Sequence, residues 1–319
     1  MPSRSDRWPA AFEGWAGAAK PPDYEEAYSR EFTWVTPSGS TRTIRLDLPV
    51  ALYEYCTNRA RIQEYGVYIS DPLQEPMLES ILEEIRRVIA DETSLLDGAV
   101  RFVQSLEYTR DTDDTGHLAY PKYPIETLVH EQGDCEDGTI LLGALLNNAG
   151  YDVTALVFPN EHHMLLGVSL PDHSGVTVQY EGTEYFPVET TATDWQIGAV
   201  PSQYRNAAVE FHLPTNQPIL LHEWEATPGG THQIDVSLTV ANFGSAAAPN
   251  VGADLLFRRR DQELEGATVL MQNATIPAGR NVSETGSLRM KPTHKLQGVC
   301  RLSIDGRLHD RSESDWHSA

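Results

Sequence analysis

Alternation of apolar and polar residues near the N-terminus predicts a β-hairpin over residues 31–49, EFTWVTPSGSTRTIRLDLP. A period of two indicates strands with one buried face, and the central PSGS suits the turn between them. The apolar residues that alternate are Phe32, Trp34, Ile44, Leu46 and Leu48.

The spacing of apolar residues then lengthens to three and four, which predicts amphipathic helices. Two such segments cover residues 75–92 and 94–108. A third is HEQGDCEDGTILLGALLNNAG, residues 130–150, with a helix expected from about Cys135 and with Gly150 suited to its C′ position. The residues expected on the buried faces are Leu78, Ile81, Leu82, Ile85, Val88, Ile89, Leu95, Ala99, Phe102, Val103, Leu106, Ile140, Leu141, Ala144 and Leu145.

Short β segments replace the helical pattern after residue 150. They cover residues 152–158, 163–170, 176–180 and 184–189. Helices followed by antiparallel strands are typical of an α+β fold. We therefore expect the third helix to pack on an antiparallel meander.

The pattern changes again near LPTNQP, residues 213–218, where we place a domain boundary. Beyond it, short alternating segments with turns and no helical pattern predict a β-sandwich of immunoglobulin type. The expected strands include residues 232–244, 250–259, 267–273 and 297–305. The predicted organisation is a flexible N-terminal segment 1–28, an α+β domain 29–213 and a β-sandwich domain 214–310.

The charge balance argues against several classes of partner. Asp and Glu number 46 against 24 Lys and Arg, and the formal net charge is −22. Contacts with phosphates need clustered Lys and Arg, so neither nucleic acid nor an anionic membrane surface is an expected partner. Only four residues are Lys, and an acidic, Lys-poor surface fits a protein that stays soluble in high salt, as in a halophilic archaeon.

The three cysteines, Cys56, Cys135 and Cys300, are widely spaced and form no CxxC pair. This pattern argues against a disulfide framework and a zinc site, and favours a reducing compartment. The N-terminal residues lack the apolar run of a signal peptide, and no segment approaches the length of a transmembrane helix. We therefore expect a cytoplasmic protein without membrane insertion.

Cys135 differs from the other two cysteines in having polar flanks, GD and ED, at the start of a predicted helix. A helix N-terminus favours a thiolate, because its unpaired N–H groups and the macrodipole attract negative charge. The three acidic neighbours of Cys135 act in the opposite direction and raise the thiol pKa. A positive partner is therefore needed, and histidine is the usual one. Cys56 and Cys300 lie in apolar or strand contexts and are expected to be structural.

Two candidates for that histidine, His162 and His163, precede the strand MLLGV. Glu189 ends the later strand EYFPVET and is the candidate to orient the imidazole. A cysteine on a helix, a histidine on a strand and an acid on a later strand form a papain-like arrangement. His162 stays an alternative base to His163, because strand phases read from sequence shift easily by one residue.

The segments GDCEDGTILLGALLNNAGYDV, HHMLLGV and YFPVETTATDWQIGAVP together resemble the transglutaminase-like superfamily, and its microbial branch in particular. The resemblance covers roughly residues 75–200 and implies a papain-like core with a Cys–His–acid triad. By position, Cys135 matches the nucleophile, His163 the base, and Glu189 the acid, where the family mostly has Asp. Glu can still accept the imidazole N–H, so the triad is retained with a longer side chain.

This resemblance implies a cysteine enzyme that acts on amide bonds through a thioester intermediate. We expect hydrolysis of a protein or peptide substrate, as by a peptidase or amidase. Transfer to a Lys amine, as by a protein-glutamine transglutaminase, and a non-catalytic scaffold that keeps the fold both stay open. No metal or organic cofactor is expected, because thioester chemistry needs none. The C-terminal sandwich is expected to present the core to a partner or substrate.

The sequence does not assign both hydrogen-bond donors of the oxyanion hole. The backbone N–H of Cys135 is one expected donor, because amides at a helix start point towards a developing charge. The second donor is left open among Gln132, Tyr120 and Tyr123.

Metal sites are not expected. The segment DTDDTG, residues 111–116, imitates the start of a calcium loop but has Lys122 at the twelfth position, where Glu is required. His162, His163 and Cys135 lack the ligand spacing of a zinc site.

Overall fold

The structure, a computed structural model, describes residues 15–19, 26–59, 61–90, 93–114, 120–193, 195–205, 207–230, 232–261, 263–290 and 295–316. The chain divides into two compact units. The unit formed by residues 22–215 contains the helices and is called the α/β unit. The other, called the β unit, combines residues 1–21 with residues 216–319.

The described residues form helices and mostly antiparallel strands, so the fold is mixed α/β with several antiparallel sheets. The helices are α1 Val50–Thr57, α2 Gly66–Ile69, α3 Glu75–Ile89, α4 Leu95–Gln104, α5 Asp111–Asp114, α6 Pro124–His130 and α7 Cys135–Asn148. The strands are β1 Trp15–Ala19, β2 Ala27–Val35, β3 Thr41–Pro49, β4 Glu107–Tyr108, β5 Gln132–Gly133, β6 Val153–Phe158, β7 His163–Val168, β8 Val178–Tyr180, β9 Thr183–Val188, β10 Glu210–His212, β11 Leu220–Gly230, β12 Gln233–Asn242, β13 Ala248–Arg258, β14 Leu264–Ile276, β15 Asn281–Arg289, β16 Gln297–Ile304 and β17 Arg307–Glu313.

The predicted hairpin is confirmed as β2 and β3, which pair antiparallel. Its alternating apolar side chains are all buried. Phe32 and Trp34 meet the ring of Phe102 edge-on, with ring centroids 5.4 and 5.6 Å apart. Edge-to-face aromatic contacts add to the gain from burial, so the hairpin is held against α4.

The helical spacing is confirmed in α3, α4 and α7, whose apolar faces are buried except at Val88 and Leu95, which are half-buried. Helix α4 ends at Gln104, so the half-buried Leu106 lies beyond it. Helix α7 is buried along its length from Asp137 to Leu146 and contacts four other helices as well as β6 and β7. Gly150 follows its end with a φ of 90°, a backbone conformation suited to glycine. Over the ranges that the structure describes, no helix combines the length and the apolar character needed to cross a bilayer.

The sheet of the α/β unit has the strand order β10-β6-β7-β9-β8. This differs from the simple meander expected from sequence, because β8 lies at the edge beyond β9 and the unpredicted β10 covers β6. Strands β7 and β9 are therefore antiparallel neighbours, with Leu166 opposite Val188. Continuing that register places Glu189 opposite Leu165, on the same face as His163, because side chains alternate between faces.

The β unit consists of two antiparallel sheets, ordered β1-β11-β12-β15 and β14-β13-β16-β17. One apolar cluster, which includes Trp224, Val236, Leu255 and Phe257, lies between strands of both sheets. The predicted strands correspond to β12, β13, β14 and β16, while β11, β15 and β17 were not predicted.

The N-terminal segment differs from its prediction as a flexible stretch over residues 1–28. Strand β1 pairs with β11, from Trp15 opposite Ala226 to Ala19 opposite His222, and β2 already begins at Ala27. A sheet edge leaves unpaired N–H and C=O groups, and β1 supplies partners for those of β11.

Candidate active site

Cys135 is the first residue of α7, and Asp134 is its N-cap. The Asp134 carboxylate accepts hydrogen bonds from the N–H groups of Glu136 and Asp137 at 3.0 and 3.3 Å. In return, the Asp137 carboxylate accepts from the N–H of Asp134 at 3.3 Å. This reciprocal capping box fixes the start of the helix, and with it the position of the Cys135 side chain.

His163 begins β7, and Glu189 directly follows β9. The imidazole Nε2 lies 2.8 Å from Glu189 Oε2. The alternative base, His162, is exposed and has a φ of 50° in the turn before β7. The structure thus brings His163 to Glu189.

Glu189 is held from several directions at once. Its Oε1 accepts from the N–H groups of Thr190 and Thr191, each at 3.0 Å, and from the Thr191 hydroxyl at 2.7 Å. The Gln104 amide donates to the Glu189 carbonyl at 2.8 Å. Burial alone would raise the pKa of Glu189, but hydrogen bonds from His163 and Thr191 hold this pKa below its ordinary value. The carboxylate is therefore ionised and fixed in orientation.

These contacts determine the tautomer of His163. Because the Glu189 carboxylate is an acceptor, the imidazole nitrogen facing it, Nε2, carries the hydrogen. The other nitrogen, Nδ1, is then unprotonated in the neutral ring and able to accept a proton.

The Cys135 thiol lies close to the start of β7, where the backbone N–H of Met164 acts to lower the thiol pKa. Met164 directly follows His163 in the chain. This contact joins the nucleophile candidate on α7 to the strand that carries the base candidate.

The surroundings of the thiol act against the thiolate–imidazolium pair that the sequence led us to expect. Burial, followed by the charges of Asp134, Glu136 and Glu189, raises the pKa of Cys135 to about 12, while the Met164 amide acts in the opposite direction. Together these effects disfavour the thiolate at neutral pH. Partial burial of Cys135, which composition alone does not reveal, is the largest of these effects.

A buried ion pair lies beneath the first turn of α7. Lys122 Nζ donates to Asp137 Oδ2 at 2.6 Å, and both side chains are fully buried. The backbone N–H of Lys122 also donates to Asp137, at 2.8 Å. The pair neutralises one of the carboxylates that follow Cys135.

Three other carboxylates meet near the same turn. Asp111, Asp134 and Glu136 each place one oxygen within 4.8 Å of the other two, so these residues could hold a cation. Of the segment likened to a calcium loop, residues 115 and 116 lie outside the described residues.

The candidates for a second oxyanion donor separate into two groups. Tyr120 donates to Glu126 at 3.0 Å and lies under the guanidinium of Arg61, and Tyr123 is buried beside Arg59. Gln132 belongs to β5, three residues before Cys135, and accepts from the hydroxyl of Thr109 at 3.3 Å.

Comparison with known proteins gives no family assignment. No protein-family profile and no curated protein matches the chain. One similar solved structure is a putative ApaA protein from Bordetella pertussis, 10% identical with a TM-score of 0.22, covering 32% of this chain and 91% of that chain. Another is a β-glucuronidase of glycoside hydrolase family 2, which is 11% identical with a TM-score of 0.24. The match covers 51% of this chain and 20% of that chain. A third is the alkylpurine DNA glycosylase AlkC of Pseudomonas fluorescens, which is 12% identical with a TM-score of 0.21. The match covers 81% of this chain and 55% of that chain. Similarities this low do not support an inference about activity.

Several residues of the site were not identified from sequence. Thr191 had a local signal, since a Thr two residues after a carboxylate can return both its N–H and its hydroxyl to that carboxylate. The Met164 amide, Gln104 and Tyr204, whose ring lies against His163, had none, because only the folded sheet and helices bring them to the site.

Proposed function

We propose that the protein is a cysteine-dependent acyl-transfer enzyme with a transglutaminase-like core, which hydrolyses amide bonds in a protein or peptide. The observation that carries this proposal is the 2.8 Å contact between His163 and Glu189, next to a sulfur held at the N-terminus of α7. The motif resemblance described from sequence supports the same reading. In this proposal the β unit, as a sandwich of immunoglobulin type, presents a partner or substrate.

In the acylation step, Cys135 attacks the amide carbonyl as its thiol proton moves to His163 Nδ1. General-base transfer of this kind suits a thiol whose resting pKa is high. An S–C bond forms and the carbonyl oxygen becomes an oxyanion, which the Cys135 backbone N–H faces because the first amide of a helix has no intrahelical partner.

Collapse of this intermediate breaks the C–N bond, and the imidazolium of His163 returns the proton to the departing amine. The product is a thioester on Cys135. Water then attacks the thioester, with His163 again accepting the proton, and releases the acid and the free thiol. Glu189 keeps its charge throughout and stabilises the imidazolium, as the acid of a catalytic triad does.

Acylation by p-nitrophenyl acetate tests this function without a known substrate. Attack by the thiol forms an acetyl thioester and releases p-nitrophenolate, which is followed by absorbance while peptide mass spectrometry locates the acetyl group. We expect acylation at Cys135, and a rate reduced about 100-fold or more in His163→Ala. Cys56 and Cys300 are both fully buried and serve as internal controls in the same chain.

Acetyl transfer to Cys135 at an equal rate with and without His163 would exclude the triad. If Cys135 is acylated, monodansylcadaverine offered with a casein substrate distinguishes the acceptors. Incorporation of the amine would favour a transglutaminase over a hydrolase.

A non-catalytic scaffold is the second candidate function. The observation that favours it is the raised pKa of the Cys135 thiol, because a thiol without a lowered pKa is a weak nucleophile. A Cys135 that resists p-nitrophenyl acetate in the folded protein would support this alternative.

A further inference from the structure

One face of the His163 imidazole is covered by an aromatic ring. The rings of His163 and Tyr204 are stacked, with centroids 4.9 Å apart and an angle of 12° between their planes. Tyr204 ends the short 3₁₀ turn Ser202–Tyr204, far along the chain from β7 and β9.

The hydrogen bond to Glu189 does not by itself fix the imidazole plane. It holds Nε2 at one point, but the ring can still tilt about that point and move Nδ1. Proton transfer needs Nδ1 held in line with the group that loses the proton, and a displacement of about 1 Å can cost about 100-fold in rate. A ring lying parallel to the imidazole removes the tilting motion that the hydrogen bond permits.

The Tyr204 ring is itself held in place by neighbouring apolar residues. It packs against a cluster of buried apolar residues, Leu156, Phe158, Leu165 and Val200. The rings of Phe158 and Tyr204 have centroids 5.2 Å apart and are tilted by 36°. Tyr204 is therefore held by a packed surface of the same sheet that carries His163.

We propose that Tyr204 is a positioning residue, which holds the plane of the His163 imidazole so that Nδ1 faces the Cys135 thiol. This inference rests on the proposed function for its catalytic meaning. It also restricts access, because Tyr204 covers one ring face of His163. His163 is accordingly only 14% exposed at its side chain.

The test compares Tyr204→Phe and Tyr204→Leu with a matched control, Phe211→Leu. Phe211 packs against the same apolar cluster, and its ring neighbour is Tyr180. Two readouts are needed. The first is the chemical shift of the carbon-bound His163 protons in histidine-labelled protein, assigned by difference from His163→Ala. The second is the rate of Cys135 acylation by p-nitrophenyl acetate.

We expect Tyr204→Phe to keep both readouts, because the stacked ring is retained. Tyr204→Leu should move the His163 protons downfield by removing the ring current, and should slow acylation about tenfold. Phe211→Leu should lower stability while leaving both readouts unchanged. Unchanged His163 shifts in Tyr204→Leu, or an equal loss of acylation in Phe211→Leu, would overturn the proposal.

The two readouts also separate the proposals. If the wild type is not acylated but the His163 shifts depend on Tyr204, the stacking role stands and the proposed function fails. If the wild type is acylated and Tyr204→Leu is acylated equally fast, the function stands and the positioning role fails.

Discussion

The carboxyl group of Glu136, the residue after Cys135, has an unusually high pKa. Burial, and then the nearby carboxylates led by Asp134, raise its pKa from 4.5 to about 8. Between these two pH values the folded protein holds a proton that the unfolded chain has released. Stability therefore decreases as pH rises through this window, because the folded state binds more protons than the unfolded state.

We accordingly expect Glu136→Gln to raise the free energy of unfolding by about 1–2 kcal/mol at pH 8 and to change it little at pH 4. The neutral amide has no proton to lose on unfolding. Urea denaturation at the two pH values measures the difference. The exposed Glu83 on α3 provides the control, and an equal gain in Glu83→Gln would show that general charge reduction is responsible.

The same substitution affects the thiol. The Glu136 charge contributes to the raised pKa of Cys135, so its removal should lower that pKa. The rate of alkylation by iodoacetamide against pH should then rise at a lower pH in Glu136→Gln than in the wild type. A profile displaced towards higher pH would contradict the charge assignment at this helix end.

Only some residues of the candidate site could be identified from the sequence. Cys135, His163 and Glu189 could be named because each stands at the end of a recognisable segment, and the structure places the last two 2.8 Å apart. Tyr204 could not be named, because no local pattern links it to a histidine on a separate strand. The effect of burial on the Cys135 pKa could not be read from sequence either, since burial depends on side chains from distant parts of the chain.

At the scale of elements, the approach of α7 to the chain after β9 brings Cys135 near Glu189. Gly138 on α7 permits this approach, because a Cβ there would lie 2.7 Å from Thr190 Oγ1 and 3.0 Å from Thr190 Cβ. Thr190 directly follows Glu189. The glycine thus controls the distance between two segments of the candidate site.

We expect Gly138→Ala to destabilise the α/β unit by about 1–3 kcal/mol, as overpacking does, and to slow acylation of Cys135 as α7 is displaced. Thermal unfolding and the p-nitrophenyl acetate assay measure the two effects. Adding Thr190→Ala removes the nearer of the two atoms and should recover part of both losses. If Gly138→Ala alone keeps the wild-type stability and acylation rate, the contact with Thr190 does not control the approach of α7.

Element type was easier to predict than element order. Short runs of apolar and β-branched residues located β6, β7 and β9, which are buried along most of their length. They could not show that β8 lies at the sheet edge beyond β9, because strand order depends on where the connections cross. Strand β10, with three residues, was too short to show a periodic pattern.

At the scale of the whole molecule, the chain begins and ends in the same unit. Strand β1 supplies backbone partners to β11 over five residue pairs. Its sequence, WAGAA, has no alternation and contains glycine, so sequence patterns gave no indication of a strand. Pairing with β11, rather than propensity, accounts for this strand.

Removal of residues 1–21 should therefore destabilise the β unit by about 2–4 kcal/mol, through the lost backbone hydrogen bonds, without affecting the α/β unit. The cysteines report on each unit separately, because Cys300 is buried in the β unit and Cys56 in the α/β unit. Alkylation in increasing urea should modify Cys300 earlier than in the wild type and leave Cys56 unchanged. An unchanged Cys300 profile in the shortened protein would show that β1 does not stabilise the β unit.

Both oxygens of the Glu189 carboxylate are hydrogen-bonded, which limits the residues that can replace it during evolution. One oxygen is occupied by Thr190 and Thr191 and the other by His163, so the side-chain length is matched to both sets of donors. Aspartate, shorter by one methylene or about 1.5 Å, could reach the threonine amides or the imidazole but not both, and Glu189→Asp should slow acylation about as much as Glu189→Gln. The closest chemical relative of this residue is thus a poor substitute. Exchange of the two acids would therefore need a compensating shift of the surrounding backbone that lets the shorter side chain meet both sets of donors.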